Sequence, residues 1–219
     1  MRETLAVLAR RVNICSAIMN EDIVADFSIR AGFAETDLAR AAVLYWDAFK
    51  GKLGKIMGPD ERACGFFATT MNAEYALSAV DQSGELLGIA GFKTNKGSLT
   101  GGSLRDMTRV YGWVGGTWRG LLLSALERDV QPGILLMDGI CVGAAARGKG
   151  VGTALLSAIK SHARQSGLST VRLDVIDSNA GARALYEREG FAAIGTTHTG
   201  SLRHIFGFRQ ATAMQCDVS

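Results

Sequence analysis

Apolar and polar positions along this chain follow two periods, one of about two residues and one of about 3.6, and their alternation predicts strands and helices in mixed order. A first short strand is expected at Ser28–Phe33. Leu38, Ala41, Ala42, Tyr45 and Phe49 then fall on one helical face, predicting a helix over Asp37–Lys50. Pro59 suits a first helical turn and opens a second helix that runs to about Thr70. Two strands follow, Tyr75–Val80 and Leu86–Lys93, joined by the turn residues Asp81-Gln82-Ser83-Gly84. Residues 96–133 are too long for a plain connection, so this stretch is read as an insertion with helices at Leu104–Tyr111 and Trp118–Arg128, separated by the glycine-broken Gly112–Gly116. Ile134–Val142 is a buried strand, Gly148–Ser166 a helix stopped by Gly167, and Val171–Ile176 a further strand. A helix over Asn179–Glu189, closed by Gly190, precedes two last strands, Ala192–Thr197 and Arg203–Arg209. The mixture is that of a single α/β (or α+β) domain. It is expected to span residues 27–212, with an N-terminal extension at 1–26 and a C-terminal tail at 213–219. The extension is basic and amphipathic and lacks a convincing cleavage site, and Met19 is an alternative start.

Composition narrows this picture by exclusion. The 24 basic and 21 acidic residues give a net charge of +3, too balanced to signal a nucleic-acid partner. Mean hydropathy is slightly apolar, +0.14. The longest nearly apolar run, Gly133–Ala146, carries Asp138 and is too short to span a bilayer, so no membrane partner is expected. Four cysteines (Cys15, Cys64, Cys141, Cys216) without metal-like spacing argue for a reducing, cytoplasmic setting, and with three scattered histidines they suggest no metal. The unusual entry in the composition is 27 glycines against 2 prolines. With no Gly-X-Y period, they point to sites where backbone must be bare.

One such site follows the buried strand, which runs into Arg147-Gly148-Lys149-Gly150-Val151-Gly152 and then a helix. Unpaired N–H groups and positive partial charge at a helix start, with glycines and two cations beside them, make a cradle for phosphate or pyrophosphate. Three ligands fit in principle. A P-loop is matched by Gly143, Gly148 and Lys149, but Gly150 stands where a Ser or Thr should hold magnesium. A dinucleotide fingerprint begins at Gly148 and Gly150, but Thr153 replaces its third glycine. The third ligand is coenzyme A. Arg147 to Gly152 fit [RQ]-x-x-G-x-[GA] throughout, and Asn179, Ala182, Leu185-Tyr186 and Gly190-Phe191 follow in order. In these two motifs the chain resembles the GCN5-related N-acetyltransferase (GNAT) family, most closely over residues 135–191.

The resemblance implies a mixed central sheet of about seven strands flanked by helices. Its central strands splay; the helical insertion, placed between the third and fourth strands, departs from the compact family pattern. Acetyl-CoA would lie between Ile134–Val142 and Val171–Ile176, and Gly139 fits a bulge that produces the splay. Backbone groups of Ile140, Cys141 and Val142 would hold pantetheine and polarise the thioester carbonyl. Arg147, Gly148, Lys149, Gly150, Val151, Gly152 and Thr153 would take the pyrophosphate. Asn179 and Ala182 would flank the pantetheine arm, Asn179 serving also or instead as a helix N-cap. Tyr186, at helical spacing from both, would protonate the leaving thiolate, the alternative being a core tyrosine. Asp138, read as sharing a strand face with Leu136, Ile140 and Val142, is either a general base or a structural carboxylate.

The implied activity is direct transfer of acetyl from acetyl-CoA to a primary amine of a small molecule or peptide, without a metal. A non-catalytic acyl-CoA-binding module and a P-loop-like nucleotide enzyme are the alternatives, and a homodimer is left open. The acceptor is expected between the first two helices and the insertion, with Tyr45, Trp46, Tyr111, Trp113, Trp118, Arg105 and Arg109 as candidate lining residues and the insertion's glycines as hinges.

Overall fold

In a computed structural model, residues 26–124, 129–200 and 203–219 are described. Residues 1–25, most of the expected N-terminal extension, and the expected helix end at Arg128 lie outside them. Alternating apolar residues build one eight-stranded sheet. Its strands are β1 (Phe27–Ala31), β2 (Ala76–Asp81), β3 (Leu86–Thr94), β4 (Gly97–Ser98), β5 (Ile134–Val142), β6 (Thr170–Ile176), β7 (Ala192–His198) and β8 (Gln210–Asp217). They lie in the order β1-β2-β3-β5-β6-β8-β7, with the two-residue β4 beside β3. Neighbours are antiparallel except β5 and β6.

Helices cover both faces. On one lie α1 (Leu38–Met57) and α2 (Asp60–Thr70). Helix α1 buries Ala41, Ala42, Tyr45, Leu53 and Ile56, a stripe at three- and four-residue spacing that continues past Gly51 and Gly54. The helix therefore ends at Met57 rather than Lys50. The insertion supplies α3 (Leu104–Tyr111) and α4 (Trp113–Ser124). Ser103 and Asp106 form a capping box at the start of α3. Only Gly112, at φ +75°, breaks the pair. Gly115 and Gly116 sit within α4, which starts five residues earlier than the pattern predicts. On the other face α5 (Val151–Gln165) buries Val151, Leu155, Leu156 and Ile159 against Leu135, Met137, Val171 and Leu173. Helix α6 (Ala180–Arg188) follows β6, and a short α7 (Arg203–Phe206) precedes β8.

Two sequence expectations fail at the C-terminal end. Arg203–Arg209 is not a strand. Phe206 and Phe208, two residues apart, are both buried with rings 5.9 Å apart, one closing α7 and one following Gly207 at φ +77°. Strand-like spacing thus comes from a helix end and a turn. The last strand lies later, and residues 213–219 are not a tail: Met214 and Val218 are in the core, and Thr170 to Ile176 pair with Asp217 to Ala211.

Two of the insertion's glycines, read as hinges, are instead set by packing. A Cβ at Gly116 would meet the α3 backbone at 2.5 Å, and one at Gly102 would meet Phe66 at 2.3 Å. These glycines let neighbours touch.

Candidate active site

The parallel pair β5 and β6 is joined only at its beginning. Ile134, Leu135 and Leu136 pair with Thr170, Val171 and Arg172, and no pairing is recorded between the two strands beyond. The cause lies on the other side of β5. Against β3, Gly91 opposes Gly139 while Phe92 opposes Met137, so Asp138 is the extra residue of a bulge. Gly139 stands at φ +155°, with Phe49 seated on it so closely that a Cβ would come within 2.1 Å of the ring. Bare backbone is needed here for contact as well as conformation.

The bulge also reverses which residues share a face. Strict alternation would group Asp138 with Ile140 and Val142. Instead Ile140 and Val142 join Leu135 and Met137 in the core under α5, and Cys141 turns to the core under α1. Asp138 faces a cavity of about 540 Å³ between α1, α2, the insertion and the parted strands. Its Oδ2 accepts a hydrogen bond from the Thr100 N–H at 3.4 Å. The Thr100 side chain lies beside the Tyr45 hydroxyl. Burial, and then the Asp138 charge, push the Tyr45 phenol well above its ordinary value.

From the β6 side come Asp174, Val175 and Ile176, then Asn179 and Tyr186 of α6. Asn179 Oδ1 accepts from the Ala182 N–H at 3.2 Å, so it caps α6 while lining the cavity. Tyr186 is 6% exposed. Burial raises its phenol, with Cys141 adding to the effect, so the hydroxyl keeps its proton at neutral pH. Burial raises the Cys141 thiol likewise, which leaves it a poor nucleophile.

The glycine loop lies outside this cavity, after the end of β5. Gly148 and Gly150 adopt φ +75° and +83°, with nothing within 4 Å of a would-be Cβ. They are glycines because the backbone entering α5 is left-handed at both positions. Gly152 differs: its missing side chain faces Leu185 of α6 at 3.1 Å, a helix-packing contact. Arg147 Nε donates to the Val142 carbonyl at 3.1 Å, tying the loop to the strand end. Lys149, Val151 and Thr153 complete the loop and first turn, and the buried Val151 anchors it in the core.

The structure thus brings together Asp138, Ile140, Asn179 and Tyr186 around one cavity, and sets the 147–153 loop apart from it. Cys141, Val142 and Ala182 do not line it. Of the aromatic acceptor candidates only Tyr45 lines it. Trp46 is core, with its buried Nε1 unpaired. The Tyr111 hydroxyl donates to the Met57 carbonyl, and Arg119 stacks on Tyr111 and Trp118. Trp113 is exposed, and neither Arg105 nor Arg109 reaches the cavity. Sequence reasoning missed Thr100, Phe49, Phe66 and Met107. Thr100 sits in an irregular stretch without period, and the other three carry a helical stripe indistinguishable from core. Among the described residues no group of three or more His, Cys, Asp or Glu is arranged to hold a metal, and no helix is long and apolar enough to cross a membrane.

A family model described as the Acetyltransferase (GNAT) family matches residues 39–191. Among solved structures, a GCN5-related N-acetyltransferase from Kribbella flavida superposes with a TM-score of 0.55 at 20% identity, over 88% of this chain and 98% of that one. The ribosomal-protein-S18-alanine N-acetyltransferase from Escherichia coli gives 0.53 at 18% identity, over 88% and 94%. Ard1 from Thermoplasma volcanium gives 0.57 at 15%, over 89% and 99%. At these identities the likeness is one of fold. No curated protein matches the chain.

Proposed function

The chain belongs to the GNAT acetyltransferase family, and from that premise we propose that it transfers an acetyl group from acetyl-CoA to a primary amine by direct attack. The observation that carries this reading is the parting of β5 from β6 after Leu136, with a phosphate-type loop beyond one strand end and Asp138 and Tyr186 at the gap. The residues fit the co-substrate. The left-handed glycines at 148 and 150 leave open space over the α5 N-terminus, where backbone N–H groups, Arg147 and Lys149 suit a pyrophosphate. The free edge of β5 at Ile140, Cys141 and Val142 offers backbone partners to an amide-bearing arm, with Asn179 and Ala182 across the gap. Bound there, acetyl-CoA supplies the activated thioester.

The chain's own residues then have distinct tasks. Asp138 takes a proton from the incoming ammonium, directly or through a water, held in place by the Thr100 N–H. Amides of β5 beyond the bulge stabilise charge developing on the carbonyl oxygen. Tyr186 gives its proton to the departing sulfur, a task its burial suits because the phenol stays protonated. Cys141, buried and held as a thiol, plays no covalent part.

A thermal shift with acetyl-CoA set against Mg-ATP tests the reading, followed by thiol release over a panel of amines. Stabilisation by acetyl-CoA alone and amine-dependent thiol release are expected. Stabilisation by Mg-ATP alone would overturn it in favour of a nucleotide enzyme. Tight acetyl-CoA binding without release on any amine would leave a binding module.

A further inference from the structure

The acceptor half of the cavity has a chemical character of its own. Four aromatic rings line it in succession: Phe49 and Tyr45 have centroids 4.4 Å apart, Tyr45 and Phe67 4.8 Å, and Phe67 and Phe66 5.6 Å. The row begins at the Gly139 bulge, where Phe49 sits, and ends at Gly102, whose bare Cα admits the Phe66 ring. Across from it the insertion contributes Leu104, Met107 and Leu121. Leu104 and Leu121 are 53% and 67% exposed although they line the cavity, so they form an apolar rim open to solvent. Of the eight large apolar side chains exposed among the described residues, five lie on the α3–α4 pair that carries this rim, which sets it apart from scattered surface leucines.

Charge points the same way. The acids lining the cavity are Asp138 and Asp174, and the bases are Lys52 and Lys93. An acceptor with several ammonium groups would meet as many cations as anions, whereas a single ammonium directed at Asp138 needs one carboxylate and gains from the ring beside it.

Building on the acetyltransferase reading, we propose that the acceptor is a monoamine on a hydrophobic body of at least one aromatic ring. The amine lies at Asp138 and Phe49. The body lies along the ring row under the α3–α4 rim. Polyamines and aminosugars are disfavoured, because they would bury unpaired charge against aromatic rings and lysines.

Calorimetric titration with 2-phenylethylamine and with spermidine, each with and without CoA, tests this. The aromatic amine is expected to bind about tenfold or more tightly than spermidine, the scale of one well-filled apolar pocket. Leu104→Gln and Leu121→Gln, at exposed positions that leave the core intact, are each expected to weaken it about five- to tenfold while the KM for acetyl-CoA stays unchanged. Equal or tighter binding of spermidine, or undiminished binding by both variants, overturns the proposal. A phenylalanine-led dipeptide amide separates two sources of the same chemistry. Tighter binding than 2-phenylethylamine indicates a peptide N-terminus, and weaker binding a free amine. Should CoA give neither heat nor a melting shift, the acetyltransferase reading fails, while the titrations without CoA still decide what the cavity accepts.

Discussion

Replacing Gly139 by alanine tests whether the bulge is held open by contact with α1. The new methyl would stand 2.1 Å from Phe49 Cζ, and real Cβ contacts essentially never fall below 3.0 Å. The ring must therefore withdraw by at least 0.9 Å, or the bulge must move. Forcing one methyl into packed surroundings costs about 1–3 kcal/mol. A φ of +155° adds strain for an L-residue, on the order of 1 kcal/mol. Together these come to about 2–4 kcal/mol, a large part of the ~5–15 kcal/mol that holds an average domain folded. For a chain of 219 residues, each kcal/mol moves the melting point by about 2–4 °C, so a fall of roughly 4–16 °C is expected by calorimetry. Adding Phe49→Leu removes the clash but not the strain, and should restore more than half of the loss, measured as a coupling in the double-mutant cycle. If Gly139→Ala melts within a degree of the native protein, or Phe49→Leu restores nothing, the bulge does not depend on this contact and the account of the splay is wrong.

Tyr186→Phe should lower kcat about a hundredfold or more while leaving the KM for acetyl-CoA in place, since the ring still packs and only the transferable proton is lost; unchanged turnover across the pH range would remove it from the mechanism. His162, its ring tilted against Phe92 with centroids 4.6 Å apart, has its imidazole pushed below the ordinary value by burial. The unfolded chain then binds a proton that the folded chain does not, so stability is full above about pH 6.5 and is lost as pH falls through the depressed folded value. Melting points between pH 7 and 5 should fall less steeply for His162→Phe, and parallel curves would refute this. Gly65, exposed in the middle of α2 with nothing within 4 Å of a would-be Cβ, should stabilise by about 0.5–1 kcal/mol when changed to alanine, read from urea midpoints.

Much of this architecture is legible in the residues because local signals and tertiary demands agree. The strand ahead of Arg147, the loop glycines and the α6 motif from Asn179 to Phe191 each combine a period with a punctuation residue, and each stands where the pattern puts it. The failures have physical causes. Gly51 and Gly54 look like a helix end, yet Leu53, Ile56 and Met57 keep the α1 stripe buried, and packing outweighs propensity. Phe206 and Phe208 imitate strand alternation across a helix end. Strict alternation gives Asp138 the wrong set of neighbours because a bulge shifts a period of two by one, and Gly139 marks the bulge without saying which way the faces turn. Thr100 had no signal, since its role depends on two groups distant in sequence, Tyr45 and Asp138.

The position of β8 bears on how the protein is made. This strand is synthesised after β7 yet lies between β7 and β6, its register joining Thr170 to Asp217 and His198 to Gln210. The β7–β8 partnership closes a short loop, whereas the one with β6 must wait for a far longer one. Until that docking, the nascent chain carries β6 with one edge open, a run rich in branched apolar residues, Val171, Leu173, Val175 and Ile176. Lesions in residues 192–217 should therefore appear first in the insoluble fraction, through self-association of an unfinished sheet, rather than as soluble protein with impaired turnover.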